Sequence, residues 1–563
     1  MKNDIKTRNF ITQGSILAIT GIICRIIGML YRIPLIDVIG TEGNGYYTSA
    51  YSIYNILLIL SSYSLPTAIS KVISVRLANE RYEDVKNVLR VAFLYATLIG
   101  AVMCAVMFFG SGPIAKLMEK PFCAYALRTL APTIWIMAYL GVLRGYFQGT
   151  GNMVPTAISQ IIEQIINAVV SIVMAVILFD YGTKANLIYN ETEYSYAYGA
   201  AGGTIGTGAG ALIALLFFII MMLLYGKLPE EKLMTRTEDK RTRRARTRRR
   251  ESFGSIAGVL ILTLLPILAS STVYNISTVL DDFIFSRVLA SLGLAGSVVF
   301  MWGIFGEYRI LFNIPVAMAN SISSSVIPSL TNAVAEKDKK LVVQKIKLSI
   351  QFVMLISIPA AAGLFALASP VCDLLFSSSN NTVLIKVLRV GSPAIVLFSL
   401  STISNGILQG LGYLSEPLKN AFISLVIHVV VLIALLYVMP NIYAVILANT
   451  VFALIVCLLN SHCMHKHVRF RIRGYKTFVV PLIASAVMGA AVYGVSAFLL
   501  NFMPDSISGG RLSLVFVVCI CILIAVPIYF VLLIQLRAFT KAELIEMPMG
   551  LRLYRLLHRL SLM

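Results

Sequence analysis

The chain has 563 residues, of which 58% are hydrophobic and only 13% charged, and its formal net charge is +21. So much apolar side chain exceeds what a soluble core can bury, which excludes a soluble enzyme or soluble binding module and indicates an integral membrane protein. A basic excess suits nucleic acid in a soluble chain, but in a membrane protein it reports Lys and Arg crowded into cytoplasmic loops, and nucleic acid is not expected as a partner.

About fourteen apolar segments follow one another, each near the ~20 residues of a helical span and too long for a barrel strand. The first, 10–31, runs into "RIIGMLYR", in which Arg25, Gly28 and Arg32 share one helix face. Segment two, 46–72, ends at Lys71, and segment three covers 88–110. Segment four, 125–148, carries Arg128 and Arg144 near its ends, where long side chains reach interfacial water. After "GYFQGTG" (145–151) and Pro155 comes segment five, 154–179, in which Gln160, Glu163, Gln164 and Asn167 fall on one helix face. Segment six, 200–225, is followed by "KLPEEKLMTRTEDKRTRRARTRRRES" (227–252), read as a topology-fixing cytoplasmic linker. Segment seven, 254–279, passes into "SSTVYNISTVLDD", with Ser271, Asn275, Thr278 and Asp282 on one face, a seam suited either to cavity lining or to helix packing. Segment eight, 295–327, contains "FGEYRILFNIP", which supplies Glu307, Arg309 and Asn313. Segments nine to fourteen follow at 343–368, 383–409, 418–438, 442–463, 478–502 and 512–535.

With the N-terminus inside, only Lys116, Lys120, Lys184, Arg287 and Arg511 fall in external segments, so both termini are expected in the cytoplasm. No cleavable signal is expected ahead of segment one, since "MKNDIKTRNFITQGS" leads directly into a span. The eight cysteines form no CxxC pair and read as apolar filler. "HCMHKH" (462–467) reads as a basic helix end rather than a metal site. No nucleophile elbow, Walker loop or zinc-protease motif is present, so neither catalysis nor a cofactor or metal is expected.

The sequence repeats itself. "GYFQGTG" (145–151) returns as "GILQGLG" (406–412), and "LRTLAP" (127–132) as "LRVGSP" (388–393). Both copies fall on even-numbered segments and share one orientation, which predicts an all-α protein of two pseudo-symmetric six-helix lobes. The expected divisions are 1–226 for the N-terminal lobe, 227–252 for the linker, 253–465 for the C-terminal lobe, and 466–563 for two further helices and a tail. Gly149, Gly151 and Pro155, with Gly410, Gly412 and Pro417, are expected to build equivalent turns. The polar stripe is not repeated: Phe422, Leu425, Val426 and Val429 stand in its place. That favours a cavity peculiar to the first lobe, or packing against a neighbour peculiar to it.

A charge near the bilayer centre costs at least ~2.5–3.5 kcal/mol, so deep arginines need water or a partner. Arg25, Arg32, Lys71 and Arg309, with Glu307 and Asn313, are candidates for a cationic cavity between the lobes that receives an anionic headgroup, Arg being suited to forked phosphate contacts. Glu307 and Arg309 as a purely structural pair is the alternative. Gln160, Glu163, Gln164, Asn167, Asn275 and Asp282 are candidates for lining that cavity or coupling an ion.

"RGYFQGTGNMVPTAISQIIEQI", "LPTAISK" (65–71) and "IPAAAGLFALASP" (358–370) resemble the polysaccharide-transport branch of the MOP flippase superfamily, within it the stage V sporulation protein B and YtgP group, and extend over nearly the whole chain. The resemblance implies a MurJ-like alternating-access flippase in a bacterial cytoplasmic membrane, carrying undecaprenyl-pyrophosphate-linked peptidoglycan precursor (lipid II) outward. It also implies a lipid-linked glycan and membrane lipids as partners, with a coupling ion and cell-wall synthesis proteins as further candidates and a monomer as the working unit. MurJ proteins have R-x-x-G-x-x-R in the first helix; here the second arginine comes one place late, at Arg32. Their eighth-helix arginine stands 19 residues before P-S-L-[ST], as Arg309 does here, but Phe312 replaces the acid that follows it, leaving Glu307 as the substitute. Exporters of teichoic acid or capsule, a MATE-type drug exporter and a non-transporting cell-wall scaffold are the alternatives.

Overall fold

The computed structural model describes residues 16–17, 19–79, 81–225, 251–376, 381–470, 472–502 and 510–536. The expected basic linker, except for its last two residues, and the tail after 536 lie outside the described residues. Among the described residues every element is a helix, as hydrocarbon requires of a chain whose backbone groups must be satisfied within each span.

Helix α1 (Ile19–Leu30) leads at Tyr31 into α2 (Arg32–Leu58), which is broken at Gly40 by non-helical backbone with φ 71° and ψ 176°. Only glycine occupies that region without strain. Residues 32–39 therefore prolong α1, and the chain turns its corner at Gly40. A π-helical turn at Ile59–Tyr63 joins α2 to α3 (Leu65–Ala78). Inside that turn the hydroxyls of Ser61 and Ser62 donate to the carbonyl oxygen of Leu58 at 3.3 and 3.2 Å, supplying donors where the regular ladder is disturbed.

Long helices follow: α4 (Tyr82–Leu117), α5 (Cys123–Gly149), α6 (Val154–Tyr189), α7 (Glu193–Tyr225), α8 (Phe253–Ser291) and α9 (Val298–Ala335). After them come α10 (Lys339–Ala366), α11 (Ala368–Leu375), α12 (Asn381–Gly391), α13 (Ala394–Gly410), α14 (Ser415–Val438), α15 (Ile442–His467), α16 (Val480–Phe502) and α17 (Arg511–Gln535). By length and hydropathy 11 described helices can cross a membrane, or 12 if α12 and α13, bent by 47° at their break, form one span. The count of fourteen is not confirmed: residues 32–78 run as one helical stretch, and among the described residues α1 and α8 contribute only the shorter apolar helices Ile19–Leu30 and Phe253–Leu264.

The chain forms two compact units, residues 1–287 with 295–303 and residues 288–294 with 304–563. The first unit thus takes in most of α8 and the start of α9. Compact units and sequence repeat divide the chain at different places.

Within the first unit α6 and α7 lie against each other along a stripe of small residues. A Cβ built on Gly202, Gly206 or Gly210 would come within 2.3 Å of Met174 O, 2.2 Å of Ser171 Oγ and 2.4 Å of Glu163 O, respectively. Glycines every fourth residue let two helices meet backbone to backbone, the available route to tight association where lipid is as apolar as leucine. In the second unit α10 packs on α13 and α16, while α15 lies between α13 and α14.

Gly206→Val is expected to cost about 1–3 kcal/mol through overpacking and to lower the thermal midpoint of the detergent-purified protein. Gly254→Val, at a position with open space around it, leaves the midpoint near that of the parent.

Candidate functional site

The loop between α5 and α6 shows how the Gly-x-Gly pair divides its work. Gly151 has φ 83° and its counterpart Gly412 has φ 93°, each with open space around it; these make the turn. A Cβ on Gly149 would lie 2.8 Å from Ile73 Cβ, and one on Gly410 3.1 Å from Leu330 Cβ; these make room for a neighbouring helix. Pro155 and Pro417 are buried in the first turns of α6 and α14, where their missing N–H costs no helical bond.

Folding back at this turn sets α5 against α6, and Arg144 meets Glu163. The pair is 2.7 Å apart and Arg144 Nε donates to Ser159 Oγ at 3.1 Å. Arg144 is therefore buried and partnered, whereas its position near a span end had suggested a side chain reaching for interfacial water. The stripe on α6 serves several partners. Glu163 faces Arg144, a Cβ on Gly28 would lie 3.5 Å from Gln164 Oε1, and Asn167 is buried. Asn167 Nδ2 approaches Tyr31 Oη at 3.5 Å, while Ser171 and Thr207 donate to its Oδ1 at 3.0 and 3.4 Å. Gln160 Oε1 is buried with no hydrogen-bond partner among the described residues.

This polar interior extends to the Gly40 corner. Arg32 Nη2 donates to Asn44 Oδ1 at 3.3 Å, and its guanidinium lies 4.7 Å from the centre of the Tyr47 ring, a favourable cation–π position. Arg25, one helical stretch earlier, is exposed and makes no hydrogen bond or ion pair among the described residues. Lys71 is exposed on α3. Of the expected substrate-binding residues of the first unit, Arg32 is thus held while Arg25 and Lys71 are exposed.

Asp282, a candidate either for cavity lining or for helix packing, is fully buried against Lys120, with Nζ 2.5 Å from Oδ1. Asn275 is exposed on the same helix and has an interaction of its own. In the second unit Glu307 is buried, Arg309 is half-buried with its guanidinium 5.9 Å from the Phe305 ring centre, and Asn313 is exposed. Both Glu307 and Arg309 are engaged.

Three features escaped the sequence reading. Lys120 looked like a loop charge. The hydroxyls of Tyr31 and Tyr47, 3.1 Å apart, gave no pattern. The third was legible: Asn420, Ser424 and His428 recur every four residues on the buried face of α14. Asn420 donates to Asn460 Oδ1 at 2.8 Å, and Asn460 donates to Ser404 Oγ and Asn405 Oδ1 at 2.9 and 2.7 Å. The second copy keeps polar residues after all, on a face displaced from Phe422 and Val426, which are exposed.

A family model described as polysaccharide biosynthesis protein matches residues 11–334. The chain belongs to that family. Among relatives of the polysaccharide biosynthesis protein family, stage V sporulation protein B of Bacillus subtilis is 24% identical over 548 residues, covering 96% of this chain and 98% of the relative. The lipid II flippase MurJ of the same organism is 24% identical over 534 residues, covering 91% and 93%. A solved structure of lipid II flippase MurJ in an inward closed conformation aligns at a TM-score of 0.62 with 15% identity, covering 92% of this chain and 97% of that one. An inward-facing multidrug resistance MATE family transporter of the MOP superfamily aligns at 0.61 with 16% identity, covering 80% and 98%. The fold of this family member is therefore the all-α MurJ and MATE fold, and the chain is a multi-pass membrane protein, in agreement with the resemblance carried by its sequence motifs.

Arg144→Met is expected to destabilise the protein by about 3 kcal/mol, at the low end for stranding one partner of a buried pair. Arg144→Met with Glu163→Gln recovers most of that loss in thermal unfolding.

Proposed function

We propose that the protein is an alternating-access flippase that moves an undecaprenyl-pyrophosphate-linked peptidoglycan precursor, lipid II, from the inner to the outer leaflet of a bacterial cytoplasmic membrane. The observation that carries this reading is Arg25. Its helix runs from Ile19 of α1 through residue 39, so Arg25 lies roughly 9 Å from one end and 21 Å from the other at 1.5 Å per residue. An exposed guanidinium with no partner among the described residues is far better accommodated against water than against lipid tails. A wet cationic face inside a span suits a pyrophosphate, which Arg grips through paired N–H donors. Full-length similarity to a protein named lipid II flippase supports the choice of cargo. Teichoic-acid or capsule precursors share the pyrophosphate and are separated from lipid II by the test below.

Arg32 and, in the second unit, Arg309 with Glu307 and Asn313 of the same helix are proposed as further contacts for a headgroup, and Lys71 as a further cation on the cytoplasmic side. Gln160, whose buried oxygen lacks a partner among the described residues, and Gln164, next to Gly28, are proposed to line the path of the head. A head with about two negative charges gains roughly 4–5 kcal/mol on moving outward across an inside-negative potential of ~100 mV. Membrane potential alone can therefore bias the direction of transport.

The test is rescue: expression in cells depleted of a known lipid II flippase, with precursor exposure at the outer leaflet as the measurement. Exposure returns if the cargo is lipid II and stays absent if it is another glycan lipid. Arg25→Ala and Arg309→Ala are expected to insert normally and to lose about tenfold or more of flipping, the size of a lost hydrogen bond to a charged group. Collapsing the potential in vesicles slows export; an unchanged rate removes the potential as driving force.

A further inference from the structure

Lys120 is the anomaly of the first unit. It sits in the short connection between α4 and α5, where a lysine ordinarily points into water, yet it is completely buried. Its Nζ meets Asp282 Oδ1 of α8 at 2.5 Å, donates to Ser49 Oγ of α2 at 2.8 Å and lies 4.9 Å from the Trp302 ring centre of α9. Four elements converge on one ammonium group. Two of them, α8 and α9, lie beyond the basic linker at 227–252, and the other two lie before it.

Around the ion pair the same elements are in backbone contact. Asn44 Nδ2 donates to the carbonyl oxygen of Gly303 at 2.8 Å. A Cβ on Gly303 would lie 1.9 Å from Thr41 O, and one on Gly45 2.2 Å from Val299 O. A second ion pair, Arg287 with Glu119 at 2.9 Å, flanks the seam at its exposed edge. Asp282 Oδ2 has no hydrogen-bond partner among the described residues. A buried pair that leaves an acceptor unsatisfied is poor as a stability device, since an apolar substitute holds a static contact as well or better. It suits a contact that has to open, because both charges regain water when separated.

We propose that Lys120 and Asp282 form a latch that closes the transport path at its external end and must part for the cargo to leave. The inference rests on the alternating-access reading above and adds the residues that hold one end shut. Lys120 and Asp282 are positioning residues: they act on the seam formed by Ser49, Trp302, Gly303 and Gly45. Asn44 extends the seam to Arg32, because its Oδ1 accepts from Arg32 while its Nδ2 holds Gly303. An anionic head that draws Arg32 away thereby loosens the grip on α9, so arrival of cargo and release of the latch share one side chain.

Cys123, buried beside the latch with its Sγ 3.5 Å from Tyr46 O, is a built-in reporter. With the other cysteines replaced by alanine, its labelling by a membrane-impermeant maleimide added outside intact cells is followed by mass spectrometry. Slow labelling is expected in the parent. Lys120→Met and Asp282→Asn are expected to label about tenfold faster or more, as a two-state equilibrium responds when one state loses a specific contact. Gly303→Ala, which wedges the seam without touching a charge, gives the same rise. Exchanging the charges, Lys120→Asp with Asp282→Lys, returns labelling toward the parent rate, which a general loosening of the fold does not do. Ser49→Cys with Asp282→Cys replaces the ion pair by a reversible covalent tie: oxidation protects Cys123 and reduction exposes it. Parent-like labelling in the inserted single variants, or equal labelling of the oxidised and reduced cysteine pair, overturns the latch. Labelling reads the opening whatever the cargo, so failure to restore lipid II export with the labelling pattern intact removes the cargo assignment and leaves the latch standing.

Discussion

A charge carried into a membrane has to find water or a partner, and the first unit is organised by the different ways its charges meet that demand. Arg144 finds Glu163 and Ser159 across the α5–α6 hairpin. Lys120 finds Asp282 across a much longer stretch of chain. Arg32 finds an amide and an aromatic face. Arg25 finds none of these among the described residues, and it is the charge on which the transport reading turns. Because unpaired burial is so costly, the contrast between satisfied and open guanidiniums separates framework from working surface better than position in the sequence does.

Close approach of helices is the second constraint. Where hydrophobic burial does not distinguish helix from lipid, contact has to come from shape, and glycine supplies it. The α7 stripe does so permanently, with α6 as its partner. Gly45 and Gly303 do so at the seam beside Lys120, where backbone contact is combined with an ion pair. A glycine contact costs little to open and close again, since no side chain has to be withdrawn. The two settings use one residue type for opposite ends, lasting union and reversible contact.

The sequence made the fold class legible because apolar length and charge placement are local properties. It made the Gly-x-Gly turns legible because both copies preserve them. The Arg144–Glu163 pair was within reach of the same reasoning, since the two opposite charges lie 7 residues before and 12 residues after the turn at Gly151, but span-end position was the weaker guide. The Lys120–Asp282 pair was not within reach. Nothing in the neighbourhood of either residue records a partner 162 positions away, and a single lysine in a short loop looks the same whether it is solvated or enclosed. The second copy's buried seam was missed for a geometric reason: the alignment compared one helical face, while Asn420, Ser424 and His428 occupy another.

The π-helical turn at Ile59–Tyr63 has a consequence for how the second span is built. A π turn accommodates one residue more than an α turn, and one residue is worth about 100° of rotation about the helix axis. The half of the span below the turn is thereby rotated relative to the half above it, so that one continuous rod presents two independently aimed flanks. Tyr46, Tyr47 and Tyr54 are buried above the turn, and Leu65, Ile69 and Ile73 below it. Removing a single residue from the serine run would straighten the register and swing one of those sets out of its core, making the length of this stretch as much a determinant of the fold as its composition.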